Sequence, residues 1–256
     1  MTEKKLHIEI FVQARMGSTR LPGKTLKQVN GKPLLHYLWE RLQRVSQAQR
    51  AMVLTTALPE DDALAFFCDS NNIPYYRGPD EDVLARFHQA ALKQLPDAIV
   101  RVTADCPLID PKIIDDVIQV YRNGYPQWDY VSNVLERTFP RGMDIEVFSR
   151  KALDQAFLEA TSKSEREHVT LHLYRHPENY RLRNVANIDA DADINLSQCR
   201  LTVDTPEDFA LIRLIIEHLY PINPQFNLQD ILDLLRRHPD WLQINSAVRQ
   251  KHWGQV

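Results

Sequence analysis

Glycine is scarce in this chain, at seven residues in 256. Average usage of roughly 7% would supply about 18. No G-x-G-x-x-G dinucleotide fingerprint occurs among them. Cysteine is scarcer still. Cys68, Cys106 and Cys199 stand far apart with no CxxC pair, which excludes a disulfide framework and implies a reducing compartment. No apolar stretch approaches the roughly 20 residues of a membrane span. The run 8–14 is interrupted by Glu9 and Gln13, so it does not read as a signal peptide, and a cytoplasmic location away from membranes is expected. Positive charge is not in excess either. The 31 Lys and Arg against 34 Asp and Glu leave a net charge of −3. That argues against a nucleic-acid binder, while permitting a local basic pocket for a phosphorylated small molecule. Internal repeats and low-complexity segments are absent.

What is present suits one large α/β domain with or without an appendage: 44% hydrophobic and 25% charged residues, enough for a sizeable core without structural metals. The first half alternates. Strand-like segments at 8–13, 51–55, 74–77 and 98–103 are separated by helical periodicity at 34–45, 61–71 and 82–95, and a further helix is expected at 111–122. Short connections between such elements imply a mostly parallel, mixed sheet with helices on both faces. The second half is less regular, with strands expected at 130–133, 144–148 and 200–203 and helices at 152–160, 165–175 and 206–219. Pro221 and Pro224 mark a plausible hinge. The expected organisation is a domain over 1–220 and a helical C-terminal tail over 221–256. In parallel sheets ligands bind beyond the carboxyl ends of the strands. That rule singles out the loop after Gln13, the turn at Asp105 and the turn at Asp204.

Three of the seven glycines, Gly17, Gly23 and Gly31, fall within one 15-residue stretch that also carries Arg20 and Lys24, with Arg15 just before it. Small residues and fixed cations just past a strand can cradle a polyphosphate, although a solvated basic loop has the same composition. A Walker A loop does not fit. Gly17 and Gly23 enclose five residues rather than four, and Pro22 removes an N–H donor.

Residues 13–26 read Q-A-R-M-G-S-T-R-L-P-G-K-T-L. This run resembles the N-terminal signature of CMP-sugar synthetases, especially the CMP-Kdo and CMP-sialic acid type. Within that group the chain is similar to the SpsF-like branch described as spore-coat polysaccharide biosynthesis proteins. R-G-P-D-E-D-V-L at 77–84, R-V-T-A-D-C-P-L at 101–108, R-E-H-V-T at 166–170 and D-T-P-E-D at 204–208 extend the likeness from residue 6 to about 220. The resemblance implies a nucleotide-diphospho-sugar transferase (GT-A-like) fold, often homodimeric, that transfers CMP from CTP to a sugar-type acceptor and releases pyrophosphate. It also implies roles. Arg15 and Lys24 would hold the triphosphate as the catalytic cations, and Ala14, Gly17, Ser18, Arg20, Gly78, Asp82 and Arg101 would join them around the nucleotide. Asp105 and Asp204 would hold Mg²⁺. Pattern alone leaves each aspartate open between ligand and helix cap, and Asp204 before Thr205-Pro206 is placed to cap.

The chemistry suits these types. Nucleotidyl transfer needs no covalent bond to the protein, only positioning and charge neutralisation. Lys offers a compact mobile cation, and Arg a fork across two phosphate oxygens. One departure from the Kdo enzymes is informative. Their Gln-Gly-Asp-Glu-Pro-like run is Thr103-Ala104-Asp105-Cys106-Pro107 here, so an acidic residue gives way to Cys106, which is expected to pack rather than attack. Acceptor candidates are Arg141, Asp144 and Glu146 in the 140–146 turn, with Arg166 and His168 on the expected 165–175 helix. Each could equally belong to a surface ion-pair network.

Two further patterns are set aside. His168, His172 and His176 stand at i, i+4 and i+8, but without HExxH or cysteine ligands for zinc. Asp189, Asp191 and Asp193 fail as an EF-hand because Ile194 and Arg200 occupy its Gly and Glu positions. The competing functions are a GT-A-type glycosyltransferase using a finished nucleotide sugar and a degenerate nucleotide-binding module. The cationic loop speaks against the glycosyltransferase, since holding a leaving triphosphate tail is what requires it, and intact Arg15, Lys24, Asp105 and Asp204 speak against the degenerate module.

Overall fold

The computed structural model describes residues 6–187 and 195–250. The Asp189–Asp193 pattern lies outside the described residues. Seven strands form one sheet: β1 (Ile8–Gln13), β4 (Arg50–Thr56), β5 (Tyr75–Gly78), β6 (Ala98–Thr103), β7 (Tyr130–Ser132), β8 (Glu146–Ser149) and β9 (Leu182–Asn184), in the spatial order β5-β4-β1-β6-β8-β7-β9. Two short strands, β2 (Gln28–Val29) and β3 (Lys32–Pro33), pair with each other. β5, β4, β1 and β6 run parallel, and β8 lies antiparallel to both of its neighbours. The expected mostly parallel mixed sheet is observed.

The alternation inside β1 explains why the sheet is covered on both faces. Ile8, Ile10 and Val12 point into one core, shared with α1 (Leu34–Leu42), α4 (Pro111–Asn123) and α8 (Pro206–Leu219). Phe11 points the other way, into a core with Met52, Leu54 and Ile99, built on α3 (Val83–Gln94) and α5 (Arg150–Glu159). Successive strand residues face opposite sides, so a central strand that buries nearly every residue needs two layers of helices. α2 (Asp62–Ser70) adds Leu64 and Cys68 to the first core.

Chain order places the crevice. From β1 the chain passes to β4 and β5 on one side, then returns to β6 on the other side of β1. The carboxyl ends of β1 and β6 therefore flank the topological switch point, where open α/β sheets bind ligands.

Two expected elements differ. The single helix at 165–175 is broken into α6 (Lys163–Glu167) and α7 (Leu171–Arg175), with Val169 at φ 45° between them. Local propensity yields to tertiary contacts there. Val169 is buried in the second core, and the Thr170 hydroxyl donates to Glu146 Oε1. The expected strand at 200–203 is not a ladder strand. Arg200 makes one isolated bridge to Arg141, and Val203 N–H donates to the Asp105 carbonyl at 2.8 Å. Gly142 permits that close passage. Its φ is +102°, and a Cβ there would meet the Leu201 carbonyl oxygen at 2.4 Å.

The tail forms α9 (Leu228–Arg237) and a 3₁₀ turn, Pro239–Gln243. Phe226, Ile231, Leu232 and Leu235 are buried in the same core as β1. Arg41 donates to the Phe226 carbonyl at 3.0 Å with its guanidinium 4.1 Å from the Phe226 ring. Among the described residues, no helix is long and apolar enough to cross a membrane.

Candidate active site

A cleft of about 1160 Å³ opens at the switch point, lined by the loop after β1, the end of β6 and the start of α6. The loop is shaped by its own hydrogen bonds. Gly23 N–H donates to the Met16 carbonyl at 3.1 Å, and the Thr25 hydroxyl to the Arg15 carbonyl at 3.0 Å. Asp61, fully buried, accepts from Met16 N–H at 2.6 Å with one oxygen and from Thr56 with the other, pinning the loop to β4. Gly23 sits at φ 67°, in the left-handed region that a side chain would strain.

Lys24 stands at the centre. Its Nζ donates to Asp105 Oδ2 at 3.0 Å, Asp204 Oδ1 at 2.8 Å and the Val203 carbonyl at 2.8 Å. Arg20 lies 3.1 Å from Asp204 Oδ2, and Arg200 donates to the same oxygen at 3.4 Å. The Thr103 hydroxyl holds Asp105 Oδ1 at 2.5 Å. Burial would raise the Asp105 pKa, but the Lys24 ammonium and the Thr103 hydroxyl outweigh it and hold the carboxyl below its usual range. Burial would likewise lower the Lys24 pKa, and the two carboxylates reverse that. Asp204 is not the cap of α8, which is capped by Thr205 in a capping box with Asp208. The Asp204 carboxylate is left to the cations. Burial pushes the Cys106 thiol well up and keeps it protonated, as befits a packing residue.

A second cavity of about 680 Å³ adjoins the first, with Arg101, Thr103, Asp105, His168 and Asp204 lining both. Arg137, Arg141, Asp144 and Glu146 complete its polar wall. Arg137 donates to both oxygens of Asp144, at 2.5 and 3.2 Å. Burial nevertheless leaves the Asp144 pKa raised, and it lowers that of Arg141.

The structure thus brings Ala14, Arg15, Gly17, Ser18, Arg20, Lys24, Arg101, Asp105, Asp204 and His168 to the first cleft. Arg141, Asp144 and Glu146 line the second. Arg15, half-exposed, lies 3.6 Å from Asp80. Glu146 already accepts from Arg101, Tyr130 and Thr170, and Arg101 also donates to Gln13 at 2.8 Å. Three expected site residues do not line either cavity. Asp82 caps α3 and pairs with Arg166 at 2.9 Å, so an expected nucleotide contact and an expected acceptor contact neutralise each other. Gly78 ends β5, where a Cβ would meet Arg86 Cγ at 2.9 Å. Sequence reasoning missed Asp61, Arg86 and Arg137. Arg86 is 1% exposed and donates to the Pro79 and Asp80 carbonyls, bracing the turn that carries the partner of Arg15. An arginine between the apolar positions Leu84 and Phe87 was the available signal.

His168 gives a testable pH dependence. Burial holds its pKa down to about 4, against roughly 6.5 in an unfolded chain. The unfolded state therefore binds the extra proton first, so the stability contributed by neutral His168 is present above about pH 6.5 and is lost as pH falls toward 4. His168→Gln is expected to flatten that part of the stability profile, measured as urea midpoints at pH 4.5 and 7. An unchanged slope would show that His168 is not the responsible group.

The sequence profile of the family described as "Cytidylyltransferase" matches residues 10–235. The chain belongs to this cytidylyltransferase family. It is 32% identical to the spore coat polysaccharide biosynthesis protein SpsF of Bacillus subtilis over 238 residues, 91% of this chain and 95% of that one. It is 29% identical to a 3-deoxy-manno-octulosonate cytidylyltransferase of Anaeromyxobacter dehalogenans over 153 residues, 59% and 62% of the two chains. The solved structure of a cytidylyltransferase from Leptospira borgpetersenii superposes with a TM-score of 0.86 at 31% identity, covering 96% of this chain and all of that one. The cytidylyltransferase fold expected from the motifs is therefore the fold observed, and the glycosyltransferase alternative is not favoured.

Proposed function

We propose that this cytidylyltransferase transfers CMP from CTP to a sugar-type acceptor, releasing pyrophosphate, in the synthesis of a surface glycan. The observation that carries the reading is the convergence of Lys24, Asp105 and Asp204 at 2.8–3.0 Å where the two cavities meet. The first cavity, with Arg15, Arg20 and the glycine-bearing loop, suits the triphosphate. The second, with Arg141 and Arg137, suits an acidic acceptor, and a carboxylate matches the arginine fork. A sugar acid is also what the name of the Anaeromyxobacter relative specifies.

The residues present fit a Mg²⁺ ion. Two hard carboxylates from distant parts of the chain already share one cation, the Lys24 ammonium, and Mg²⁺ commonly takes one or two protein carboxylates. Asp105 and Asp204 would hold it, and when bound it would supply charge neutralisation at the phosphates. The chain's own groups do the rest. Arg15 and Arg20 orient the phosphate tail, and Lys24 neutralises charge developing on the leaving group. Arg141 aligns the acceptor for in-line attack on the α-phosphorus. The attacking oxygen displaces pyrophosphate, so one P–O bond forms as another breaks. The homodimer implied by the resemblance and the cytoplasmic location expected from the sparse, unpaired cysteines belong to the same proposal.

The test is pyrophosphate release from CTP with Mg²⁺ across a panel of ulosonic acids and sugar phosphates. Release dependent on a sugar acid is expected, and Arg141→Ala should raise the acceptor KM without changing the KM for CTP. Silence across the panel would overturn the acceptor class.

A further inference from the structure

The break between α6 and α7 assembles a second group of ligating side chains that the transfer chemistry does not use. The histidine spacing noted in the sequence does not survive as one helix face, because His168 turns to the cleft. Instead Glu165 on α6 comes to His172 on α7 and His176 at its end. Glu165 Oε1 lies 3.4 Å from His172 Nδ1 and 3.6 Å from His176 Nε2, and the three atoms all fall within 4.8 Å of one another. A tetrahedral ion with bonds of about 2.1 Å separates its donors by roughly 3.4 Å.

Two further observations point to a ligand. His172 is 5% exposed, yet among the described residues its Nδ1 forms no hydrogen bond, Glu165 Oε1 at 3.4 Å standing outside bonding geometry. A buried ring nitrogen left so is costly unless something else occupies it. The opposite nitrogens are both engaged by carboxylates: His172 Nε2 lies 3.3 Å from Glu159 and His176 Nδ1 3.2 Å from Glu178. An imidazole that binds a metal through one nitrogen typically donates its other N–H to a carboxylate, which fixes the ring and raises its basicity. Both rings have that arrangement here.

We propose that Glu165, His172 and His176 form a site for a divalent first-row transition ion such as Zn²⁺, distinct from the Mg²⁺ position at Asp105 and Asp204. Two imidazoles and one carboxylate select such an ion over Mg²⁺, which prefers an all-oxygen shell. His176 is partly exposed, its side chain 38% accessible, so solvent can supply the fourth ligand. A bound ion ties α6 to α7 across the turn that carries His168. It therefore stiffens one wall of both cavities.

The experiment uses full-length protein stripped with a chelator, without nucleotide, titrated with Zn²⁺ by calorimetry and with Co²⁺ by visible absorption. One equivalent should bind in the micromolar range or tighter, with the intense bands of four-coordinate Co²⁺. His176→Gln, at a partly exposed position, should weaken binding by more than about a hundredfold with an unchanged far-UV spectrum. Glu178→Gln should weaken it by roughly tenfold. Asp105→Asn should leave the bands intact. Absence of stoichiometric uptake, uptake indifferent to His176→Gln, or uptake lost in Asp105→Asn would each overturn the site. The readout is binding, so its failure stands apart from any failure of CMP transfer.

Discussion

Lys24→Ala is expected to lower kcat roughly 10²–10³-fold, the scale seen when one preorganised donor to developing charge is removed, while the KM for CTP moves little. The split follows from where Lys24 starts. Without substrate its ammonium is engaged by Asp105, Asp204 and the Val203 carbonyl, so ground-state phosphate binding rests more on Arg15 and Arg20. Charge on the leaving pyrophosphate grows only as the bond breaks. A cation that meets it then contributes to turnover rather than to binding. Lys24→Arg should rescue poorly. The Lys24 side chain is 14% exposed, and a planar fork cannot replace a point charge set among three oxygens. A second readout separates chemistry from folding. Removing the ammonium leaves Asp105 and Asp204 facing each other with less compensation, so the variant should melt earlier. Added Mg²⁺ should raise its melting temperature more than that of the parent. Turnover near the parent's would remove Lys24 from the mechanism.

Much of this site was legible because its members are loop residues whose types carry the chemistry. Arg15, Lys24, Asp105 and Asp204 each follow a β-segment or its near equivalent, and the strand-end rule alone brings such loops to one edge of a parallel sheet. The supporting residues were not legible, for a physical reason. Asp61 and Arg86 act on backbone groups of other loops, and nothing in their local sequence names those partners. The pairing of Asp82 with Arg166 shows the converse. Two residues from separate motifs were assigned to separate substrates, yet the fold spends each on the other. The helix at 165–175 failed because periodicity cannot see Glu146 drawing on Thr170 from a neighbouring strand, nor a core that takes Val169. At 200–203 the residues alternate as a strand does, but the pairing stops at one bridge to Arg141, beside Gly142, where a side chain would clash with Leu201.

Asp105→Asn is expected to raise the Mg²⁺ concentration for half-maximal activity by at least about tenfold and to lower the maximal rate, with the fold intact. The substitution keeps the side chain's shape, and its remaining oxygen can still accept from Thr103, which holds Oδ1 at 2.5 Å. What changes is the atom facing Lys24. An amide N–H₂ presented to the ammonium sets donor against donor, so Lys24 must rely on Asp204 and the Val203 carbonyl. Mg²⁺ would lose one of two charged oxygens and gain only a neutral one. The comparison with Asp204 is what makes Asp105 the cleaner probe. Asp204 also accepts from Arg20 and Arg200, so a change there removes a partner from each arginine, Arg200 keeping Asp208, and confounds metal binding with loop position. Asp105 contacts Lys24, Thr103 and the Cys106 thiol, and Lys24 keeps Asp204 and the Val203 carbonyl when Asp105 is changed. A Mg²⁺ titration of activity on the parent and the variant, with melting temperatures alongside, separates the two effects. Superimposable titrations would place the ion elsewhere and leave Asp105 as a partner of Lys24 alone.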